Sequence, residues 1–463
     1  MRILFLYTNI NGFHESSYSF GLTSIIAISK QKGHQIDCML ITSQEEYDSV
    51  FKKIEELQPD IIGFSTVSSQ FHFVKELAEL IKKNYPDIII VCGGVHPTIN
   101  PYCIKEAKGI DAVFVGESEG AFRDFLDCVS QKKSFKNINN IAYRSNGGVV
   151  INPLNSLILD LDELPYSDRD NIYFEQSLKA IGFASFYFSR GCPYLCSYCS
   201  NHAIAKSYGL ERNNTRYRSP ESCIWEIEEV IRKYHVKQIS IGDDTFGLNK
   251  KWRKEFLRKY KERIGLPFYC LLRANIVDEE FVKLIKEAGC FKVLIGVESG
   301  NEYVRNEIMK RHMTNEEIIR AFDLLRKYRI EATALNIIGV PGETEEMIWD
   351  TIRLNRRINP KYSGVNIFYP YKGTELGDYC FEHNLVDEER FKNFSNERRE
   401  TVLNYPKEYR DKLTYYYDRW EELVHRWHLI HRLKMIIRDA CKKLGIWNQV
   451  LKLKNSIFPR KKV

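Results

Sequence analysis

Cys192, Cys196 and Cys199 lie in the run Ser189-Arg190-Gly191-Cys192-Pro193-Tyr194-Leu195-Cys196-Ser197-Tyr198-Cys199-Ser200, directly after the apolar, strand-like stretch 184–188. Three soft thiolates in one tight loop can hold three corners of a four-iron cluster and leave the fourth iron open to a substrate or cofactor. An incomplete ligand set suits chemistry better than electron storage. Two other readings of the same thiols stand beside it: a closed tetrahedral zinc site, for which His202 is near enough to be the fourth ligand, or three unrelated buried cysteines.

A loop of this kind needs a scaffold. From residue 184 onward, apolar strands near 184–188, 238–241, 268–272, 292–297, 332–338 and 364–369 alternate with amphipathic helical patterns such as 221–234 and 316–327. Six such units make a partial (β/α)6 barrel, in which the active face lies at the carboxyl ends of the strands. Those ends are polar: Asp243-Asp244, Arg273-Ala274-Asn275, Glu298-Ser299-Gly300, Asn336 within the fifth strand, and the run 339–344 after it. They suit a zwitterionic sulfonium ligand. Helix capping is the competing reading, with Asp243 and Asp244 before 248–263 and Glu298 before Glu302.

Residues 1–130 read as a second, doubly wound α/β unit with candidate strands 3–7, 35–41, 61–65, 88–92 and 112–115. Parallel sheets of this sort bind ligands at their carboxyl ends, which here are small or polar: Thr8-Asn9, Ser65-Thr66, Gly93-Gly94 and Gly116-Glu117. That leaves room for a large flat ligand. Residues 131–180 read as a linker with a small hairpin, 181–380 as the barrel, and 381–463 as a helical, basic C-terminal segment.

The chain has 463 residues, 44% of them hydrophobic, enough for two or three ordinary cores. No apolar run is long enough to span a membrane, and the first residues read as a buried strand without a cleavage signal. Twelve scattered cysteines, three with metal-site spacing, fit a reducing cytoplasm. Residues 425–463 hold eleven Lys or Arg against one acid, Asp439, a net of +10 where the whole chain carries +7. Apolar residues including Trp427, Leu429, Ile430, Leu433, Ile436, Ile437, Leu444, Ile446 and Trp447 recur at helical spacing beside those charges. The tail therefore suits either an anionic membrane surface, placing the protein at the inner face of the membrane, or packing against the barrel. No RNA-binding module is evident, and no nucleic-acid partner is expected.

The cysteine loop matches the CxxxCxxC motif of the radical S-adenosylmethionine (SAM) superfamily, which the chain resembles. The resemblance implies a 4Fe-4S cluster on Cys192, Cys196 and Cys199, with SAM chelated to the open iron. It implies that Tyr198 packs near the adenine, that Glu298 and Ser299 lie beside SAM, and that Arg273 meets its carboxylate. Gly339, in Ile338-Gly339-Val340-Pro341-Gly342-Glu343-Thr344, resembles the turn near the adenine, and Asp243 and Asn336 complete the expected set. Phe291 and Ile295 replace two glycines of the broader fourth-strand pattern.

The first 130 residues resemble the cobalamin-binding domain found ahead of many such barrels. The matching pieces are Pro59-Asp60-Ile61-Ile62-Gly63, Cys92-Gly93-Gly94-Val95-His96-Pro97-Thr98 and Val115-Gly116-Glu117-Ser118-Glu119-Gly120. Thr66, Gly93, Gly94, Gly116 and Glu117 are then the expected cobalamin contacts. The Asp-x-His-x-x-Gly loop that puts a histidine on cobalt is missing from the chain, which leaves His96 and His14 as the remaining candidates. The resemblance implies a cobalamin-dependent radical SAM enzyme that methylates an unactivated carbon or a phosphorus of a small or lipid-like molecule. An external electron donor of flavodoxin or ferredoxin type would feed it. A cobalamin-assisted rearrangement or oxidative cyclisation, and a cobalamin-binding sensor or scaffold, are the alternatives.

Overall fold

The computed structural model describes residues 1–10, 12, 18–212, 214–393 and 397–425. Seven strands form the first sheet: β1 (Arg2–Thr8), β2 (Gln35–Ile41), β3 (Ile61–Ser65), β4 (Ile89–Gly93), β5 (Ala112–Phe114), β6 (Ile141–Ser145) and β7 (Gly148–Ile151). The spatial order is β2-β1-β3-β4-β5-β6-β7, parallel through β5. The first five follow the flavodoxin-like 2-1-3-4-5 order. Runs such as Ile61-Ile62-Gly63-Phe64 are apolar without alternation because helices cover both faces of the sheet. β6 and β7 form the hairpin expected in the linker, but β6 pairs antiparallel with β5, so the first sheet extends to Ile151.

The second body begins at β8 (Ala184–Phe186), passes through the short antiparallel pair β9 (Ser189–Arg190) and β10 (Arg216–Tyr217), and continues with β11 (Ile239–Ile241), β12 (Phe268–Leu272), β13 (Cys290–Glu298), β14 (Glu331–Ile338) and β15 (Tyr362–Ile367). All six barrel strands are parallel, in the order β15-β14-β13-β12-β11-β8. The helix Asn315–Lys327 starts on a capping box between Thr314 and Glu317. The helix Lys250–Arg263 is capped by Asn249. Asp243 and Asp244 are therefore free of the capping role.

The helix Lys407–Val424 lies on β15 and on the helix Glu345–Ile358, burying Leu413, Tyr416, Trp420 and Leu423. Trp420 Nε1 donates to Ser363 Oγ at 2.8 Å, which satisfies the indole as its ring is buried. His425 is buried against Glu421 at 3.4 Å. The rest of the basic tail, 426–463, lies outside the described residues, and so does His14. Among the described residues no helix is long and apolar enough to cross a membrane.

Candidate active site

The cysteine loop leaves β8 at the carboxyl end of the barrel, and its exit is fixed by a buried carboxylate. Asp243 Oδ1, just past β11, accepts from the backbone N–H of Phe188 (2.7 Å) and of Ser189 (3.2 Å). Asp243 thus shapes the loop's entry. Farther along, Ser197 donates its N–H to Met309 O (3.1 Å) and its hydroxyl to Ile308 O (2.6 Å), and its own carbonyl accepts from Leu376 N (2.9 Å). Cys199 stands at the N-cap of the helix Ser200–Ser207.

Burial pushes the Cys192 thiol up, and the Cys199 thiol up to about 12. Deprotonation therefore needs positive charge close by. It is present: Arg273 Nη1 lies 3.7 Å and Arg311 Nη1 3.9 Å from Cys196 Sγ, both donating to it. Arg273 is held in place by stacking on Tyr194, 3.8 Å from the ring centre. Among the described residues no three His, Cys, Asp or Glu side chains converge as ligands of a single metal ion do. His202 faces Glu375 at 3.9 Å. With His202 turned to Glu375, the loop offers three thiols and no fourth ligand, a donor set that fits a four-iron cluster with one open iron.

Beside the loop, β13 ends on a distortion. The pairing register shifts between Gly296 and Glu298, and Glu298 adopts a left-handed φ of 62°. Arg311 fills the space so made, reaching Glu298 Oε1 (3.3 Å), Tyr198 Oη (2.8 Å) and Gly296 O (2.9 Å). Burial pushes the Glu298 carboxyl up, opposed by Arg311. Tyr198, Glu298, Arg273 and the cysteines are thus brought together, with Arg311 as a member that the sequence reading missed.

Ser299 and Asn336 face elsewhere. Ser299 Oγ meets Thr351 Oγ1 (3.3 Å) on the helix Glu345–Ile358, and Asn336 is bound to Asn355, Ser363 and the Gly364 carbonyl. Gly339 has φ 77°, and its N–H donates to Glu343 Oε2 at 2.5 Å. Tyr405 and Tyr409 hold the same turn through the carbonyls of Val340 (3.0 Å) and Glu343 (2.7 Å).

A cavity of about 390 Å³ opens between the carboxyl ends of the first sheet and the cysteine loop. Gly93, Gly94 and Gly116 line one wall; Ser189, Gly191, Asn201 and Asp244 line the other. A Cβ at Gly93 would meet only Phe114 Cβ, at 3.7 Å, so a larger side chain there would fill the cradle. Gly116, at φ 77°, lets Tyr208 of the barrel approach, and the Tyr208 oxygen accepts from Glu117 N at 2.7 Å. The Glu117 carboxylate is taken up by Arg216 (2.6 Å), and Glu119 binds Arg190 (2.5 Å), two residues before Cys192. Thr66 lies behind the wall, its hydroxyl bonded to Val67 O. The glycine-walled space fits a large planar cofactor. His96 does not line it: the ring stacks on Phe71, Nδ1 meets Ser68 Oγ (3.0 Å), and burial lowers its pKa to about 4.

Residues 186–354 match the family described as Radical SAM superfamily, and residues 11–126 match the B12 binding domain. The chain is 31% identical to an uncharacterized methyltransferase, PH0819, of Pyrococcus horikoshii, over 73% of each chain. It is 27% identical to the anaerobic magnesium-protoporphyrin IX monomethyl ester cyclase of Rubrivivax gelatinosus, over 81% of this chain and 69% of that protein. The fold is shared with the radical SAM methyltransferase TsrM of Kitasatospora setae, solved with tryptophan and a SAM analogue: TM-score 0.68, 18% identity, 83% of this chain and 76% of that one.

The chain belongs to the radical SAM superfamily, in the group that carries a B12-binding domain ahead of the barrel. It is a radical SAM enzyme whose cofactors are a 4Fe-4S cluster, SAM and cobalamin.

Proposed function

We propose that the enzyme transfers a methyl group from SAM to an unactivated carbon or a phosphorus centre of a small molecule. The observation that carries this reading is the 31% identity to PH0819 across 73% of both chains, together with a glycine-walled cavity lined by Ser189, Arg190 and Gly191, which lead into the cysteine triad. When bound, the cluster and SAM supply a carbon-centred radical, and cobalamin supplies a transferable methyl group. Cys192, Cys196 and Cys199 hold the cluster, while Arg273 and Arg311 offset the thiolate charge. Tyr198 and Glu298, joined through Arg311, would face SAM beside the cysteine loop, with the Gly339 turn near the adenine. Gly93, Gly94 and Gly116 leave room for the corrin, and the ion pairs of Glu117 and Glu119 fix the spacing between the two cofactors and exclude water.

Electrons enter from an external flavodoxin- or ferredoxin-type donor. The basic tail 426–463 makes peripheral contact with anionic lipid. Oxidative cyclisation is the second reading, favoured by the 27% identity to the cyclase. Anaerobically reconstituted enzyme, incubated with cell extract and methyl-labelled SAM, separates the two: methyl transfer puts label in a small-molecule product. Turnover that yields 5'-deoxyadenosine with an unlabelled, more oxidised product would establish cyclisation instead.

A further inference from the structure

Between the end of β13 and the helix Asn315–Lys327 the chain makes an excursion, residues 299–314, folded around one buried guanidinium. Arg305 is 0% exposed and belongs to the π-helical turn Val304–Ile308. Its Nε donates to Met313 O (2.9 Å), its Nη1 to Ser299 O (2.6 Å) and Asn315 Oδ1 (2.8 Å), and its Nη2 to Glu302 Oε1 (3.2 Å). The fork thus ties the residue that follows β13 to the start of the next helix. The Arg305 carbonyl accepts from Arg311 N at 3.0 Å. Asn306 braces the same closure in both directions: its Nδ2 donates to Met313 O (3.1 Å) and its Oδ1 accepts from Met313 N (3.0 Å).

A buried guanidinium is costly, and a well-packed apolar side chain would often fill its space at less cost. What the fork supplies, and an apolar side chain cannot, is a fixed loop shape. Lys310 and His312 take left-handed φ values of 53° and 52° on either side of Arg311, which residues with a Cβ adopt only when their surroundings impose it. That shape presents the Ile308 and Met309 carbonyls to Ser197 (2.6 and 3.1 Å) and brings Arg311 Nη1 to 3.9 Å from Cys196 Sγ. Arg305 itself touches none of the cysteines among the described contacts.

Taking Cys192, Cys196 and Cys199 as ligands of the cluster, we propose that Arg305, braced by Asn306, is a positioning residue for it. Arg305 holds Arg311 against Cys196 and so raises the potential at which the cluster accepts an electron. A cation beside a ligating sulfur favours the reduced, more negative state, and its withdrawal makes reduction harder.

Arg305→Lys keeps the buried charge and loses the fork, whereas Arg311→Met removes the guanidinium beside the sulfur. Full-length wild type, both single variants, the double variant and Asn306→Ala are reconstituted with iron and sulfide. The cluster potential is then titrated without SAM, from the paramagnetic signal of the reduced state. Arg305→Lys and Arg311→Met should each make the cluster about tenfold harder to reduce, about 59 mV lower for one electron. The double variant should lie no lower than Arg311→Met alone, because one residue acts through the other. Asn306→Ala should shift the potential in the same direction, and it carries the test if Arg305→Lys does not fold.

The proposal is overturned if the brace variants load iron and keep the wild-type potential, if Arg311→Met causes no shift, or if the two shifts add in the double variant. Loss of iron from both Arg305→Lys and Asn306→Ala would make the excursion a structural support only and overturn it as well. Failure of the wild type to take up a cluster would instead reject the ligand assignment on which the proposal stands.

Discussion

Cys196 Sγ lies between two guanidiniums, which offset the negative charge that a cluster's thiolate ligands bring into the loop. The other two cysteines have no comparable cation in hydrogen-bond reach among the described contacts, so assembly of a cluster rests on all three together. The variant C192A/C196A/C199A should lose nearly all bound iron and all SAM cleavage, measured by iron content and 5'-deoxyadenosine. Full iron loading in that variant would disprove the ligand assignment. His96 gives a second test at this scale. Its pKa in the folded chain, about 4, is below its ordinary value of 6.5, mainly through burial. The unfolded chain then binds the proton at higher pH, so the stability tied to neutral His96 is complete above about pH 6.5 and is lost as pH falls toward 4, at most about 3 kcal/mol. Apoprotein with His96→Phe should unfold in urea with a shallower loss of stability between pH 6.5 and 4 than wild type; equal slopes would reject the burial. The same variant should bind cobalamin normally, because the ring does not face the cavity. The cysteine loop stands out as a candidate site by its spacing. Arg311 does not, because Lys310 and His312 on either side of it take left-handed φ values of 53° and 52°, which no local pattern announces.

Elements were more legible than the side chains they carry. β2, β3 and β12 fall where apolar runs and flanking turns put them, and β3, covered on both faces, shows the continuous apolar run such strands need. Which way a polar residue at a strand end faces is a different matter. Asn336 and Ser299 were expected near SAM, but in the fold they serve the helix Glu345–Ile358, whose Thr351 and Asn355 offer partners equally invisible to periodicity. Glu117 was expected at cobalamin; it lines the cavity beside Glu119, and the two carboxylates also bind Arg216 of β10 and Arg190 of β9. The C-terminal helix was read as beginning a basic tail at residue 425, yet Leu423, Val424 and His425 are buried on the barrel, and Leu423 O accepts from Arg356 (2.8 Å). A chain ending after Glu422 would lose that packing, so the tail is tested by truncation after His425. Each Lys or Arg near anionic lipid contributes about 1 kcal/mol, screened by salt, and Trp427 and Trp447 add a salt-resistant part. The intact protein should pellet with anionic vesicles, less as salt rises, and the truncated protein should stay in solution. Equal pelleting of both forms would exclude the tail as the contact.

At the scale of the molecule, the two sheets meet around one cavity, joined by Glu119–Arg190, Glu117–Arg216 and the contact of Tyr208 with Gly116. A ligand bound there touches both bodies, so its binding energy should stabilise the whole chain and not the first sheet alone. At a free concentration about a hundredfold above its Kd, cobalamin should add about 2.7 kcal/mol to the stability of the folded state. The unfolding of the two bodies, followed by tryptophan fluorescence and by far-UV dichroism, should then shift upward together. Gly93→Phe tests the location. A Cβ at Gly93 meets only Phe114 Cβ at 3.7 Å, so the larger side chain can be accepted by extending into the cavity. This variant should keep its iron and its unliganded stability within about 1 kcal/mol, while the cobalamin-dependent shift disappears. An unchanged shift in Gly93→Phe would place cobalamin outside the glycine-walled space, and a shift confined to one probe would show that the bound ligand does not bridge the two sheets.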